Sequence, residues 1–403
     1  MSSKKIMILG VGEAQENLIR EAKNLGYFTI VCDMRTGRPG EKLADKYFRV
    51  NYMDKEAILR IAREEQIDGV ISNSEPAMES VSYLVDTLFL PGNSSTSLQR
   101  LLSKNEFRKL QRQVGVFYPQ SFEALSWDEA MTKFPLLRYP IIIKPSESSG
   151  SRGATMFEKY DQEMMMKAFQ TCKGFSRNDY VTIEEYVSMK GCDVFNADIF
   201  LVDGNVLWDG WYGGKRSKKL PMVPMTKVLP PIIQDKDRKR IQDVVNKIIT
   251  QSGVSLGEFN VETYITANDE IFVIEINPRQ AGDDIPKLIF EHTGINLTKL
   301  LVSLTVDDRR YLNQIKNKTR ENNYITLQVV FPHSEGVYQG LYIDRELRKY
   351  VKWVHEFVNI GESVSKAQNA EDSVAYVDFR FDSRDMQVKF TNEIEKYIFP
   401  IIG

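Results

Sequence analysis

The stretch GEFNVETYITANDEIFVIEINPR, residues 257–279, contains the most informative local pattern of the chain. Residues 259–265 alternate as a half-buried strand does, and residues 271–276 form an apolar run typical of a buried strand. The residues between them, ANDE, are polar and favour a turn. We therefore predict a β-hairpin at this point of the chain.

Three polar side chains interrupt the apolar background of this hairpin. Glu262 lies in the first strand, and Glu275 and Asn277 lie at the end of the second. Opposed residues of antiparallel strands come within roughly 5 Å of each other, so we expect the carboxylates and the amide to meet. Such oxygen ligands suit Mg²⁺, which commonly takes one or two carboxylates together with substrate phosphates. Arg279 adds a cation two residues further on.

The composition is that of an ordinary globular protein. The 403 residues are 42% hydrophobic and 27% charged, and the chain is long enough for two or three domains. A formal net charge of −2 argues against nucleic acid as a partner. No apolar run approaches the ~20 residues that a membrane span needs, and we expect no signal peptide. Three widely spaced cysteines form neither a disulfide framework nor a zinc pattern, which predicts a cytoplasmic protein.

The segments G-x-F-N-V-E and V-I-E-I-N-P-R closely resemble the metal-binding hairpin of the ATP-grasp ligases. This resemblance implies that Glu262, Glu275 and Asn277 hold the Mg²⁺ (or Mn²⁺) ions that bridge the phosphates of ATP. It also implies a catalytic role for Arg279, which would stabilise the charge on the transferred phosphoryl group. The enzymes it resembles include carbamoyl-phosphate synthase large chains, biotin carboxylases, phosphoribosylglycinamide synthetases and amino acid ligases.

Residues 5–100 alternate strand and helix patterns, which predicts a parallel sheet covered by helices. Gly10-Val11-Gly12 followed by Asp33 also permits a dinucleotide-binding interpretation, but Gln15 stands where that fingerprint needs a small residue. By resemblance, this region is the biotin-carboxylase-like domain that precedes many ATP-grasp cores. Its loops at Gly12-Glu13 and at residues 73–75 would then face the substrate that is not the nucleotide.

Two lysines and a glycine-rich loop are predicted to hold phosphates. Lys144 ends an apolar strand, where a buried ammonium group needs an anionic partner. The loop that follows can fold its backbone N–H groups over phosphates, because glycine permits a close approach. By resemblance, Lys104 and Lys144 are the two ATP lysines. The loop consists of Ser148, Ser149, Gly150, Ser151, Arg152 and Gly153.

The string VTIEEYV, residues 181–187, resembles the adenine-binding segment of the same family. The resemblance also gives Asp193 a contact with ribose, although relatives often have glutamate there. The residues carried over to the contacts with the base are Glu184, Glu185, Tyr186 and Val187.

We predict an α/β chain of three domains, with an α+β arrangement in the ATP-grasp core. Residues 1–102 form the N-terminal domain with its parallel sheet. Residues 103–305 form the ATP-grasp domain, which holds the nucleotide and metal sites. Residues 306–403 form a small β-rich C-terminal domain without a catalytic cluster.

The predicted function is ATP-dependent ligation of a small-molecule carboxylate to an amine. The γ-phosphoryl group of ATP passes to the carboxylate, the amine attacks the acyl phosphate, and ADP and phosphate leave. One version joins amino acids or similar acids to amines. The other is a purine-biosynthesis ligase of the phosphoribosylglycinamide synthetase type, although Gly12-Glu13-Ala14 departs from the G-G-R-E-H of those enzymes. An ATP-binding regulatory module without catalysis is the alternative from another class. A homodimer is expected because relatives commonly form one.

Overall fold

The computed structural model describes residues 3–147, 153–191, 193–217, 223–282, 284–316, 323–368 and 372–403. In these ranges the chain forms mixed helix and strand, and the predicted α/β class is confirmed. None of the helices in this part of the chain combines the length and the apolar character that a membrane crossing requires.

The N-terminal region is the predicted parallel sheet with helices on its faces. Its strands are β1 (Lys5–Leu9), β2 (Phe28–Asp33), β3 (Lys46–Arg49) and β4 (Gly69–Ile71), in the order β3-β2-β1-β4. Its helices are α1 (Glu13–Asn24), α2 (Pro39–Leu43), α3 (Lys55–Glu65) and α4 (Met78–Leu88). Strands of this kind are apolar on both faces because helices cover both, and residues of β1 contribute to two separate hydrophobic clusters.

A small antiparallel sheet follows, in the order β5-β8-β6-β7. Its strands are β5 (Ser121–Ala124), β6 (Ile141–Pro145), β7 (Thr155–Phe157) and β8 (Val181–Glu185). The helices of this region are α5 (Ser95–Leu102), α6 (Lys104–Gln113), α7 (Trp127–Lys133) and α8 (Gln162–Phe175). In the pairing of β6 with β8, Lys144 lies opposite Thr182. The lysine is therefore close in space to the residues that flank Thr182 in β8.

The largest sheet has eight antiparallel strands in the order β13-β12-β9-β10-β11-β14-β18-β16. The strands up to the hairpin are β9 (Asp193–Val202), β10 (Asn205–Arg216), β11 (Pro224–Leu229), β12 (Gly257–Ile265) and β13 (Ile271–Asn277). The helices that accompany them are α9 (Asp235–Ser252), α10 (Ile285–Thr293), α11 (Leu297–Thr305) and α12 (Arg310–Ile315).

The C-terminal region continues this sheet and adds a smaller one, in the order β17-β15-β19. Its strands are β14 (Tyr324–Val330), β15 (Gly336–Ile343), β16 (Val351–Glu356), β17 (Ser363–Val364), β18 (Ala375–Phe381) and β19 (Ile398–Ile402). Its helices are α13 (Arg345–Arg348), α14 (Arg384–Thr391) and α15 (Ile394–Tyr397). Because β14 pairs with β11, the large sheet runs across the predicted boundary at residue 305. The division into three domains stays a prediction.

The predicted hairpin is confirmed as β12 and β13. Their register pairs Asn260 with Asn277 and Glu262 with Glu275, and it shifts by one residue directly after Glu262. The opposite face of the hairpin packs on α9, whose buried side chains include Ile241, Val245 and Ile248. The hairpin therefore holds its polar residues on a rigid, well-packed support.

Candidate active site

One cavity of about 600 Å³ brings together the N-terminal loops, the small sheet and the hairpin. Most of the predicted site residues line it, although they come from four separate stretches of sequence. Its charged and polar lining consists of Asn73, Ser74, Glu75, Lys104, Lys144, Glu184, Glu185, Arg216, Glu262, Glu275, Arg279 and Gln280. Its apolar lining includes Ile142, Val187, Met189, Tyr264, Phe272 and Ile274.

Glu262 and Glu275 are the acidic centre of the cavity. They are directly opposed on β12 and β13, as the sequence predicted. Burial, followed by the charge of Glu275, raises the pKa of Glu262. Two carboxylates that are directly opposed on neighbouring strands repel each other. A divalent cation would relieve that repulsion, so the donor chemistry of the pair fits Mg²⁺ or Mn²⁺.

Asn277 supports this pair from the side. Its Nδ2 donates a hydrogen bond to Glu275 Oε1 at 2.8 Å, and the residue is buried outside the cavity lining. The described parts of the chain contain no group of three or more His, Cys, Asp or Glu side chains placed to bind a metal ion. The candidate metal ligands are therefore two carboxylates and an amide, and their predicted role in holding metal stays a prediction.

Cations lie on the other side of the carboxylates. Arg216, at the end of β10, places Nη2 3.9 Å from Glu262 Oε2, and its side chain is only 17% exposed. Arg279 also lines the cavity, and its Nη1 donates to the carbonyl oxygen of Gln280 at 2.8 Å. The two guanidinium groups give this part of the cavity positive charge beside the acidic pair.

Lys144 is buried in an ion-pair cluster. Its Nζ lies 2.6 Å from Glu184 Oε1, and Arg108 Nε lies 2.8 Å from Glu184 Oε2. Burial alone would raise the pKa of Glu184, but Arg108 and Lys144 together outweigh burial and hold that pKa at about 2. We expected an anionic partner for the ammonium group of Lys144, and that partner is a carboxylate of the chain itself. The cluster keeps one net positive charge.

Lys104 lies near this cluster at the start of α6. The Ser103 side chain accepts a hydrogen bond from Glu106 N, which caps the helix and fixes the lysine at its first position. Lys104 Nζ donates to the carbonyl oxygen of Ser146 at 3.1 Å. Both predicted ATP lysines therefore line the same cavity. Of the predicted loop, only Gly153 lies within the described residues, where its φ of +74° favours glycine; Ser148, Ser149, Gly150, Ser151 and Arg152 lie outside them.

The predicted adenine segment borders the apolar part of the cavity. Tyr186 N donates to the Pro140 carbonyl at 2.8 Å, and the Val187 carbonyl accepts from the Tyr264 hydroxyl at 2.6 Å. Glu185 points to Arg138, with Oε2 and Nη2 separated by 3.1 Å. These bonds hold the segment against the cavity, and its contact with a base stays a prediction.

Asp193 lies apart from this cavity. Its carboxylate pairs with Lys215, with Nζ and Oδ1 separated by 2.7 Å, at the start of β9. It does not belong to the cavity lining, and its predicted ribose contact stays a prediction.

The N-terminal loop after β4 closes the cavity near Arg279. Asn73 Oδ1 accepts a hydrogen bond from Gln280 N at 3.0 Å. Glu75 lies 3.2 Å from Arg177 Nη2 and 3.9 Å from Arg279 Nη2. The loop predicted to face the second substrate therefore contacts the predicted catalytic arginine.

Sequence reasoning missed several residues of the site. Neither Arg108 nor Arg216 was predicted to belong to the site. Asp198 and Glu258 were not singled out, although each is a charged residue in an otherwise buried strand. The available signal was the spacing of Glu258, Asn260 and Glu262, which places three polar side chains on one face of β12.

Comparison with known proteins agrees with this arrangement. Residues 137–287 match the sequence profile of the ATP-grasp domain family. The formate-dependent phosphoribosylglycinamide formyltransferase of Ignicoccus hospitalis is 24% identical over 298 residues, covering 69% of this chain and 70% of that protein. The L-amino acid ligase of Bacillus licheniformis has a TM-score of 0.76 at 18% identity, with 100% of both chains covered. The biotin carboxylase domain dimer of the Hydrogenobacter thermophilus 2-oxoglutarate carboxylase, solved with MgADP and ADP, has a TM-score of 0.69 at 15% identity, covering 100% of this chain and 91% of that one.

Residues 137–287 thus form an ATP-grasp domain, and the resemblance seen in the hairpin is confirmed. The predicted class, an ATP-grasp ligase that forms a carbon–nitrogen bond, is confirmed by the domain match and the curated relatives.

Proposed function

We propose that this protein uses ATP to convert a small-molecule carboxylate into an acyl phosphate, which it couples to an amine with release of ADP and phosphate. The observation that carries the proposal is the single cavity lined by Lys104, Lys144, Glu262, Glu275 and Arg279. Phosphoryl transfer requires cations that bind the phosphates and carboxylates that bind a divalent cation. It also requires a positive group, here an arginine, that stabilises the charge developing in the transition state.

The nucleotide is assigned to the part of the cavity between the small sheet and the hairpin. Ile142, Phe272 and Ile274 provide apolar surface for a flat base. The cluster of Lys144, Arg108 and Glu184 keeps a net positive charge for phosphates, and Lys104 adds another.

The metal is assigned to Glu262 and Glu275, with Asn277 supporting them. Their burial and mutual repulsion favour a divalent cation over two ionised carboxylates without one. Mg²⁺, when bound, would neutralise phosphate charge and hold the phosphoryl group for transfer. The residues of the chain must then orient the substrates and exclude water.

The chemistry needs no covalent nucleophile from the protein. A carboxylate oxygen of the substrate bonds to the γ-phosphorus as the bond from that phosphorus to the β–γ bridging oxygen breaks, and ADP leaves. The amine nitrogen then bonds to the acyl carbon, phosphate leaves with the electron pair of the broken C–O bond, and the nitrogen loses one proton to the leaving phosphate or to water. Arg279 and Arg216 hold the negative charge that develops beside the acidic pair.

The second substrate is assigned to the N-terminal wall. Among the described residues, the N-terminal region contributes Ala14, Asn73, Ser74, Glu75 and Pro76 to the cavity, and none of these is basic. A phosphate-bearing substrate would meet a carboxylate there, which favours an amino acid or a similar acid and amine. The purine-biosynthesis alternative has one specific support, the formyltransferase relative named above.

A paired screen tests this proposal. Carboxylates, with amino acids first, are combined with amines in the presence of MgATP, and release of ADP and phosphate is measured. The expected result is release that needs both an acid and an amine. Phosphoribosylamine with glycine is included as the purine-type pair. Tight ATP binding without turnover on any pair would instead support the regulatory module.

Two further assignments belong to the same proposal. A cytoplasmic location agrees with the burial of Cys32 and Cys172 as free thiols. A homodimer agrees with the dimer formed by the biotin carboxylase domain, and sedimentation of the purified protein would test it.

A further inference from the structure

Two carboxyl groups are buried behind the wall of the cavity and do not line it. Asp198 of β9 has no exposed surface, and Glu258 of β12 is 2% exposed. Asp198 is paired with Asn260 in the sheet, and Glu258 is two residues before Asn260 on the same face. The charge of Asp198 acts directly on the Glu258 carboxyl group.

The hydrogen bonds of these two side chains join them to Asn260 and to the turn that follows the metal hairpin. Asp198 Oδ2 accepts from Ala281 N at 3.1 Å, and Glu258 Oε2 accepts from Gln280 Nε2 at 2.8 Å. Asn260 N donates to the Arg279 carbonyl at 3.0 Å, and its Nδ2 donates to Asp198 Oδ1 at 2.9 Å. Gln280 and Ala281 therefore bond to the pair directly and Arg279 bonds to it through Asn260, and all three line the cavity.

We propose that Asp198 and Glu258 together hold the cavity wall of residues 279–281, and with it Arg279, in position. The pair consists of positioning residues, since neither side chain lines the cavity. The inference rests on the proposed function only for the catalytic role of Arg279.

The surroundings of the pair suit a protonated carboxyl group. Glu258 Oε1 is buried and has no hydrogen-bond partner among the described residues, which suits an oxygen that carries a proton. Burial raises the pKa of Asp198 to about 6. Burial, and then the charge of Asp198, raises the pKa of Glu258 well above its ordinary value. Each of the two carboxyl groups is therefore protonated more readily here than it would be in water.

A purely structural role explains this arrangement less well. Buried carboxyl groups destabilise a core compared with apolar side chains of similar volume. Here both are retained at the position of the sheet that supports the cavity wall. Gln280 bonds to Glu258, to Thr298 of α11 and to Asn73 of the N-terminal loop. It therefore connects Glu258 to two further elements around the cavity.

Amide hydrogen exchange at Ala281 tests the proposal, because this amide donates to Asp198. In Glu258→Leu we expect protection at Ala281 to fall at least tenfold, with protection elsewhere in β9 and β12 within threefold of the unaltered protein. Glu258→Gln should restore protection to within threefold, since glutamine can still accept from Gln280. Asp378→Asn, which alters a buried carboxyl group of β18 outside the cavity, is the matched control and should leave Ala281 unchanged.

Unchanged protection at Ala281 in Glu258→Leu, or an equal loss throughout the large sheet, would overturn the proposal. Should Glu258→Leu not fold, Gln280→Ala replaces it, and unchanged protection at Ala281 in that variant overturns the proposal equally. Calorimetric titration of the unaltered protein with MgATP runs in parallel. Absence of binding there refutes the proposed function, whereas the exchange result at Ala281 still decides the role of the pair.

Discussion

Lys144 Nζ lies 2.6 Å from Glu184 Oε1, although 40 residues separate the two in sequence. Arg108, 76 residues before Glu184, completes the contact from α6. The two cations meet one carboxylate in a place where all three side chains are at most 13% exposed. The small sheet, the helix and the cavity are therefore joined by one charged cluster, which also leaves positive charge for a phosphate.

Lys144→Ala should weaken nucleotide binding without unfolding the protein. Glu184 keeps Arg108 as a partner, so the loss falls mainly on the phosphates, and we expect MgADP affinity to drop at least about tenfold, or ~1.4 kcal/mol. Calorimetric titration with MgADP measures this. Lys167→Ala, on the exposed face of α8, is the control and should bind as the unaltered protein does. Equal affinity in the two variants would remove Lys144 from the nucleotide site.

Glu184→Gln should destabilise the fold, since it leaves Arg108 and Lys144 buried without an ionised partner. Breaking a buried pair in this way costs about 3–5 kcal/mol. Urea unfolding at neutral pH, with the exposed Glu163→Gln as control, measures the difference.

The same variant predicts a pH dependence. Because the pKa of Glu184 is held at about 2, below its ordinary value of 4.5, its contribution to stability is present above pH 4.5 and is lost as the pH falls toward 2. The gap in the free energy of unfolding between the unaltered protein and Glu184→Gln should therefore shrink over that range. A gap that stays constant from pH 7 to pH 2.5 would contradict the ion-pair assignment.

Glu275→Gln should abolish metal-dependent turnover while leaving the hairpin intact. The amide removes one negative charge from the pair and replaces an acceptor with a donor, so we expect a loss of at least about 100-fold in kcat. Glu270→Gln, at the exposed turn of the same hairpin, is the matched control. Near-normal turnover of the first variant over a range of Mg²⁺ concentrations would exclude Glu275 as a metal ligand.

Arg279→Ala should slow turnover with little effect on nucleotide affinity. Removing one fixed charge from a phosphoryl or acyl transition state typically costs about 10²-fold to 10³-fold in kcat, and we expect MgADP affinity within about threefold of the unaltered protein. Arg177→Ala is the comparison, because Arg177 shares Glu75 with Arg279 but does not line the cavity. Equal losses in both variants would assign Arg279 to the support of Glu75.

The hairpin could be predicted from the sequence because the residues that specify its two strands and its turn lie in one short stretch. Alternation, a polar turn and an apolar run fix the two strands, and the period of two then places Glu262 opposite Glu275. The parallel direction of the first four strands was predictable for the same reason, since each βα pattern is contained in about 30 residues.

The charged clusters could not be predicted, because they depend on packing between distant segments. Nothing local shows that Arg108 of α6 turns toward β8, or that Asp198 and Glu258 meet across β9 and β12. A buried charge in a strand predicts that a partner exists, but only the tertiary arrangement supplies its identity.

The most direct test of the central claim follows oxygen from the acid. With the acid and amine found in the screen, the carboxylate is labelled with ¹⁸O and the products are analysed by ³¹P nuclear magnetic resonance and mass spectrometry. Transfer through an acyl phosphate predicts ADP together with inorganic phosphate that carries one ¹⁸O atom from the acid. AMP that carries the label, with pyrophosphate as the second product, would contradict the account even with the fold and the cavity as described.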